Sequence, residues 1–301
     1  MRTRLLALLG PLGLLAGCLA GDGPEPLEVS ADEPLPVELA AGDIIRAHDI
    51  AVVVPDRGES VTITVETEAG TAVELTIRNP LEGPIEVVSP EPEPVVIAAG
   101  VTGVCQDGAY KLAGHRWTTP YQWRFQADST PDANSKANVE TALANAARAI
   151  ASSRNDCGLA DLVAASQQYL GRTTIAPNIT ATLTTITCGA RDGTNAVGFG
   201  RLPTNYLGVA CSWSDGAGTA LEGDVRLARG SAWYALAVPA GCAGRVGIQP
   251  VATHEFGHVF GLGHVSEASH PNMTMSTATA ACTNSAYSLG LGDVRGLRQL
   301  Y

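Results

Sequence analysis

Histidine is scarce in this chain of 301 residues, which has six in all. Basic residues are outnumbered, with 19 Lys and Arg against 30 Asp and Glu and a net charge of −11. No basic stripe is available to neutralise phosphates, which excludes nucleic acid as the main partner. None of the seven cysteines stands in a CxxC spacing, which argues against a cysteine-built zinc site or a redox motif. There is no internal repeat. The N-terminal apolar run, residues 5–16, is too short to cross a bilayer comfortably.

That run has another meaning. "MRTRLLALLGPLGLLAGC" sets Arg2 and Arg4 ahead of the apolar stretch and reads as an export signal. Its end, Leu15-Ala16-Gly17-Cys18, resembles the lipobox of bacterial lipoproteins. The resemblance implies loss of residues 1–17, lipidation of Cys18 and attachment to a membrane through that lipid. Leu19, not aspartate, follows the cysteine, which favours the outer membrane in a cell with two. The expectation is an exported lipoprotein at the cell surface or outer membrane. Residues 18–35 are rich in Pro, Gly and acid and read as a flexible tether.

The other six cysteines are Cys105, Cys157, Cys188, Cys211, Cys242 and Cys282. An even number in an exported chain suggests three disulfides, with fifteen possible connectivities. The working expectation is Cys105–Cys157, Cys188–Cys211 and Cys242–Cys282. All six lie at or beyond residue 105, so the stapled domain occupies the C-terminal two thirds.

Residues 36–100 carry short alternating runs ("VELA", "IAVVV", "SVTITVET", "TAVELTIR", "IEVV") separated by turn signals. They suggest a small β-sandwich-like module or a pro-segment that blocks a cleft. "SPEPEPVVIAAG", 89–100, reads as a stiff connector or an edge strand. From Cys105 the texture is mixed. Trp123 and Phe125 share one face of a strand. Asn134 or Ser135 caps a helix on which Val139, Leu143, Ala146 and Ile150 recur at helical spacing. Further short strands follow, and a last helix places Val294, Leu297 and Tyr301 on one face. The fold class expected for 105–301 is α+β, a twisted mixed sheet plus helices.

Half of the histidines fall within "HEFGHVFGLGHV", 254–265. On a helix, His254 and His258 project from one face and can share a Zn²⁺ ion at ~2.0–2.1 Å. Glu255 lies beside that ion, placed to take a proton from a water. Gly261 can adopt the left-handed conformation that ends a helix, so that the chain turns back and brings His264 to the same metal. Three imidazoles with an open fourth corner make a catalytic zinc site rather than a closed structural one.

The pattern H-E-x-x-H-x-x-G-x-x-H resembles the metzincin clan of zinc endopeptidases, and within it the matrixin group. "LGLGDVRGLRQLY", "LEGDVRLA" and "DGTNAVGFG" carry the narrower likeness, over roughly 105–301. The resemblance implies a matrixin-like protease domain with one catalytic zinc and a methionine turn beneath it. "HPNMTMST" offers Met275, with Met273 as the alternative. It further implies an edge strand above the cleft, placed here at 221–227, along which an extended peptide adds by main-chain hydrogen bonds. Val265 stands where matrix metalloproteases carry serine. No PRCGxPD latch exists, and Thr277 replaces the tyrosine that astacin-like members use as an extra ligand. Asp192, Asp215, Glu222 and Asp224 could hold a Ca²⁺, with ordinary turn chemistry as the other reading. His270 reads as a solvated loop residue. The function expected is hydrolysis of extracellular proteins or peptides. The alternatives are a silent surface-binding lipoprotein that keeps the zinc fold, and a zinc hydrolase acting on a non-peptide bond.

Overall fold

The computed structural model describes residues 39–47, 49–67, 73–88 and 103–301, with the backbone of Leu27–Glu28. The export signal, Cys18 and the 89–100 connector lie outside the described residues. Of the expected tether, Leu27–Glu28 form a two-residue strand paired in parallel with residues 45–46. No helix among the described residues is long and apolar enough to cross a membrane.

After Leu27–Glu28 the described residues form a hairpin of β1 (Ile44–Ala47) and β2 (Ile50–Val53), then a meander of β3 (Glu59–Thr67), β4 (Val73–Asn79) and β5 (Glu86–Val88). Of the strand expected at "VELA", 37–40, the first two residues lie outside the described residues and the last two lie outside any strand, while Ile44–Ala47 forms a strand that the sequence patterns did not mark. Next come β6 (Tyr121–Gln126), α1 (Lys136–Ala151), β7 (Gln167–Thr173), β8 (Ile179–Ala181), β9 (Ile186–Cys188), β10 (Asn195–Gly200), β11 (Tyr206–Asp215) and β12 (Ala220–Ala228). Two helices complete the chain, α2 (Ile248–Val259) and α3 (Leu291–Leu300).

Strands β7-β6-β10-β12 run parallel, with β11 antiparallel beside β12. Helices α1 and α2 cover one face of this sheet. Trp123, Phe125 and Tyr121, at alternate positions on β6, share the larger core with Phe256 of α2 and Phe260 just past its end. Ser135 caps α1, its hydroxyl accepting from the Asn138 N–H.

The N-terminal strands do not fold apart from this domain. β3 pairs antiparallel with β11 over residues 59–67 and 206–215, so β5-β4-β3 extend the same sheet to eight strands. A second sheet, β1-β2-β9-β8 with Leu27–Glu28, lies across it. Ile45, Ile50 and Val52 of that sheet meet Val61, Ile63 and Val65 of β3, with Val209 and Trp213 of β11. A sandwich therefore forms, but three of its strands, β8, β9 and β11, come from beyond residue 105. The reason is area. A buried Val or Ile contributes about 1.5–3 kcal/mol, and the meander alone offers no second layer on which to bury Val61, Ile63 and Val65.

This pairing corrects the position of the substrate edge. β12, which includes residues 221–227, is hydrogen-bonded on both sides, to β10 and to β11. Its backbone groups are already satisfied, so no peptide can add there. The last strand of the parallel-dominated half is β11, and its outer edge carries β3.

The three disulfides are Cys105–Cys157, Cys188–Cys211 and Cys242–Cys282, the pairing expected from the sequence. Cys188–Cys211 joins β9 to β11, a staple between the two sheets.

Candidate metal centre and catalytic site

Helix α2 is buried along its whole length. It runs from Ile248 and ends at Val259. Gly261 has φ +96° and donates its N–H to the His258 carbonyl at 2.9 Å. The chain then reverses, and Leu262–Gly263 pairs with Lys111–Leu112. This return carries His264 back over the helix.

The three rings converge. The Nε2 atoms of His254, His258 and His264 lie 2.9–3.0 Å from one another. Tetrahedral ligands at ~2.0–2.1 Å from zinc stand roughly 3.3 Å apart, close to this spacing. The opposite ring nitrogens settle the tautomers. His254 Nδ1 lies 2.8 Å from the Thr274 carbonyl, and His258 Nδ1 lies 2.8 Å from the Leu262 carbonyl. Carbonyls only accept, so both Nδ1 atoms carry the proton and both Nε2 lone pairs point inward. Burial pushes His254 down to about 4 and holds His258 and His264 well below the usual histidine range. Buried neutral imidazoles with converging lone pairs repel unless a cation lies between them. The residues present therefore fit a zinc ion.

Glu255 is fully buried, and neither of its carboxylate oxygens has a hydrogen-bond partner. Burial, and then the nearby Glu66, raise its carboxyl well above the ordinary range. Gly208 of β11 stands directly against it. A Cβ at 208 would lie 2.2 Å from Glu255 Oε1, so only glycine lets the strand approach this closely.

Of the two methionines proposed for the turn, Met275 packs its sulfur against α2 at Gly257, between the first two ligands. Met273 packs instead against Gly290 and Gly292, at the start of α3. The segment under the site is tied down by Asp293. Its carboxylate accepts from the N–H groups of Thr274 (3.0 Å), Met275 (3.4 Å) and Gly290 (2.8 Å). It therefore caps α3 and fixes the Thr274 carbonyl that orients His254. Replacing it (Asp293→Ala) strands buried N–H groups, and a loss of about 1–3 kcal/mol is expected in urea denaturation. Zinc affinity should also fall by about tenfold, as for other groups that support a ligand from behind.

Several residues near the site were not singled out from sequence. Glu66 on β3 is fully buried, and its carboxylate falls within 4.8 Å of donor atoms of His254 and Glu255. Thr279 donates its hydroxyl to Glu66 Oε1. His115 is buried, with Nε2 3.1 Å from the His258 carbonyl. Tyr301, which the sequence did place on the face of the last helix, donates its hydroxyl to the Phe260 carbonyl at 3.0 Å and accepts from the Trp117 N–H at 3.0 Å, bracing the end of α2. His270 is not simply solvated, since its Nδ1 lies 2.8 Å from Asp107 Oδ2.

The four acids considered for calcium are engaged otherwise. Asp215 accepts from the N–H groups of Ala217 and Thr219, and Asp192 from that of Thr194. Glu222 accepts from Asp192 and Gly193, and Asp224 from Ala196 and Asn178. This is turn and loop chemistry, and it gives calcium no support.

A cavity of about 370 Å³ adjoins the methionine turn, lined by Met273, Thr274, Glu267, Val246 and Thr279 among others. Thr279, the residue bonded to Glu66, connects it to the metal centre.

No curated protein matches the chain. Residues 202–301, from just before β11 through α3, match the family model for matrixins, which supports a zinc metalloprotease domain at the C-terminal end, with protein or peptide as the substrate class.

Proposed function

We propose that the chain is a zinc endopeptidase in which Glu255 is the general base. The observation that carries this reading is the convergence of three buried Nε2 atoms beside a buried carboxylate with no partner of its own. His254, His258 and His264 would hold a zinc ion, which would supply Lewis-acid chemistry to the scissile carbonyl and the attacking water. Glu255 would accept a proton from that water and deliver it to the leaving amine. It is free to do so because no hydrogen bond of the fold holds either oxygen. A peptide would lie extended along the outer edge of β11, bonded through its main chain, once the end of β3 gives up that edge. The sequence reading adds export and lipid anchoring at Cys18, with extracellular proteins as substrates.

A second reading has its own support. β3 already occupies the outer edge of β11, as it would in a surface-binding protein that keeps the zinc fold without cutting. Against it stands Glu255, a buried carboxylate that a pure ligand site does not need.

The test is digestion of an unbiased peptide library by the zinc-loaded chain, by the chain stripped with chelator, and by the stripped chain with zinc restored. Cleavage should disappear with the metal and return with it. Cleavage that is indifferent to chelator, or a chain that takes up no zinc, overturns the reading.

A further inference from the structure

The third histidine is held differently from the first two. His254 and His258 each donate from Nδ1 to a carbonyl, whereas the Nδ1 of buried His264 has no hydrogen-bond partner. No bond of its own orients the third ring, so its place is set by the backbone of the return turn, residues 258–262. A helix leaves its last carbonyls without intrahelical partners, and buried carbonyls must find others. Here every carbonyl from 258 to 262 accepts a hydrogen bond, and most of the donors come from one short segment. His115 Nε2 lies 3.1 Å from the His258 carbonyl. Trp117 Nε1 donates to the Val259 carbonyl at 2.9 Å, and the Ala113 N–H to the Gly261 carbonyl at 2.8 Å. The Tyr301 hydroxyl serves Phe260 and is itself held by the Trp117 N–H. The Leu262 carbonyl takes His258 Nδ1, on the stretch that pairs with Lys111–Leu112.

Residues 111–117 thus form a strap laid across the end of α2. Its far end is fastened where Arg116 exchanges main-chain bonds with Gly218 and Ala220 and donates from its guanidinium to the Leu300 carbonyl at 2.9 Å. At the near end Lys111 lies 3.7 Å from Glu74, which also accepts from the His264 N–H. The strap lies outside the residues that match the matrixin model. Resting on the zinc reading above, we propose that His115 is a positioning residue for the metal site, which fixes the return turn to this strap and thereby places the third histidine. The His258 carbonyl accepts twice, from the Gly261 N–H and from His115 Nε2. The first bond closes the turn on itself, and the second ties it to the strap. His115 is buried, and a carbonyl only accepts, so its Nε2 carries the proton. Converging imidazole lone pairs repel one another, and a turn held from outside keeps the rings together before an ion arrives. When the tie is lost the turn relaxes, and His264 is the ligand that moves, since it alone has no bond to hold its ring.

The experiment measures zinc affinity of the full chain by competition with a chelator, and the visible absorption of the same chain loaded with cobalt, whose bands follow the number and geometry of the ligands. Four chains are compared: wild type, His115→Phe, His115→Gln and Tyr301→Phe. His115→Phe fills the space but has no donor. His115→Gln offers an amide N–H that can reach the same carbonyl. Tyr301→Phe removes a single hydroxyl from the same turn, and it serves if His115→Phe folds poorly. Zinc should bind His115→Phe about ten- to a hundredfold more weakly, and its cobalt bands should shift and lose intensity. Tyr301→Phe should move both readouts in the same direction by less, and His115→Gln should restore them. On a cleaved library peptide kcat should fall with KM unchanged, because the main-chain groups of β11 that bind the peptide are left in place. If His115→Phe and Tyr301→Phe lose stability but keep the wild-type zinc affinity and cobalt spectrum, both residues are merely structural and the proposal is overturned, with the three-histidine site left standing. A wild-type chain that takes up no cobalt would overturn both readings.

Discussion

Glu255→Gln is expected to bind one zinc ion as well as the wild type and to cleave peptides about 10²- to 10⁴-fold more slowly. The substitution is close to isosteric and removes only the ability to accept and return a proton. The structure makes it unusually clean. Neither Glu255 oxygen accepts a hydrogen bond, so no structural partner is abandoned. The metal ligands hold one another through His254, His258 and His264 and their carbonyl partners, none of which involves Glu255. The measurement has two parts: metal content after dialysis, and initial rates on a cleaved library peptide. Both should be made on the wild-type chain and the variant side by side. Wild-type turnover in the variant would remove Glu255 from the reaction. Absence of cleavage from every zinc-loaded chain, with Glu255 or without it, would favour the silent binding protein.

The difference between Glu255 and Glu66 shows what a sequence can and cannot reveal here. Glu255 is legible because the helix supplies its own geometry. A residue next to one ligand and three before another has a fixed place relative to the metal, and spacing alone states it. His264 is legible for a related reason, since Gly261 announces the turn that returns it. Glu66 is silent. In "SVTITVET" the alternation is regular, and a glutamate on the non-apolar side of a strand reads as a solvated residue. Its burial comes from β11, about 140 residues away, lying beside it with a glycine opposite. Strand partners at that distance leave no local mark. The same blindness explains the misplaced substrate edge. β11 and β12 are both short apolar runs, and only the sheet order shows which of them is interior. The sandwich was legible as strands but not as a shared structure. Asp293 sat in a recognisable helix, while its role in holding Thr274 depends on where that helix docks.

Gly261→Ala should be the most damaging single-methyl substitution in the site, lowering stability by upwards of about 3 kcal/mol and weakening zinc binding with it. Two costs combine. At φ +96° any residue with a Cβ is strained, at roughly 1–2 kcal/mol. The added methyl would also lie 2.0 Å from the His115 carbonyl oxygen, a backbone atom that cannot swing aside. Relief requires the turn to open, and that turn is what carries His264 to the other two rings. Gly158→Ala is the control. Gly158 also has a positive φ, +70°, but nothing lies within 4 Å of its would-be Cβ. It should pay the backbone strain alone, about 1 kcal/mol, and leave zinc affinity unchanged. Gly263→Ala tests the other side, because the nearest atoms there are carbons of the flexible Lys111 side chain, at 3.1–3.4 Å. Urea denaturation with and without zinc separates the two costs. For Gly261→Ala the zinc-dependent part of the stability should shrink, since a displaced His264 lowers the affinity through which the metal stabilises the fold. If Gly261→Ala loses no more than Gly158→Ala and keeps its zinc-dependent stability, the close turn is not what brings the third histidine to the metal.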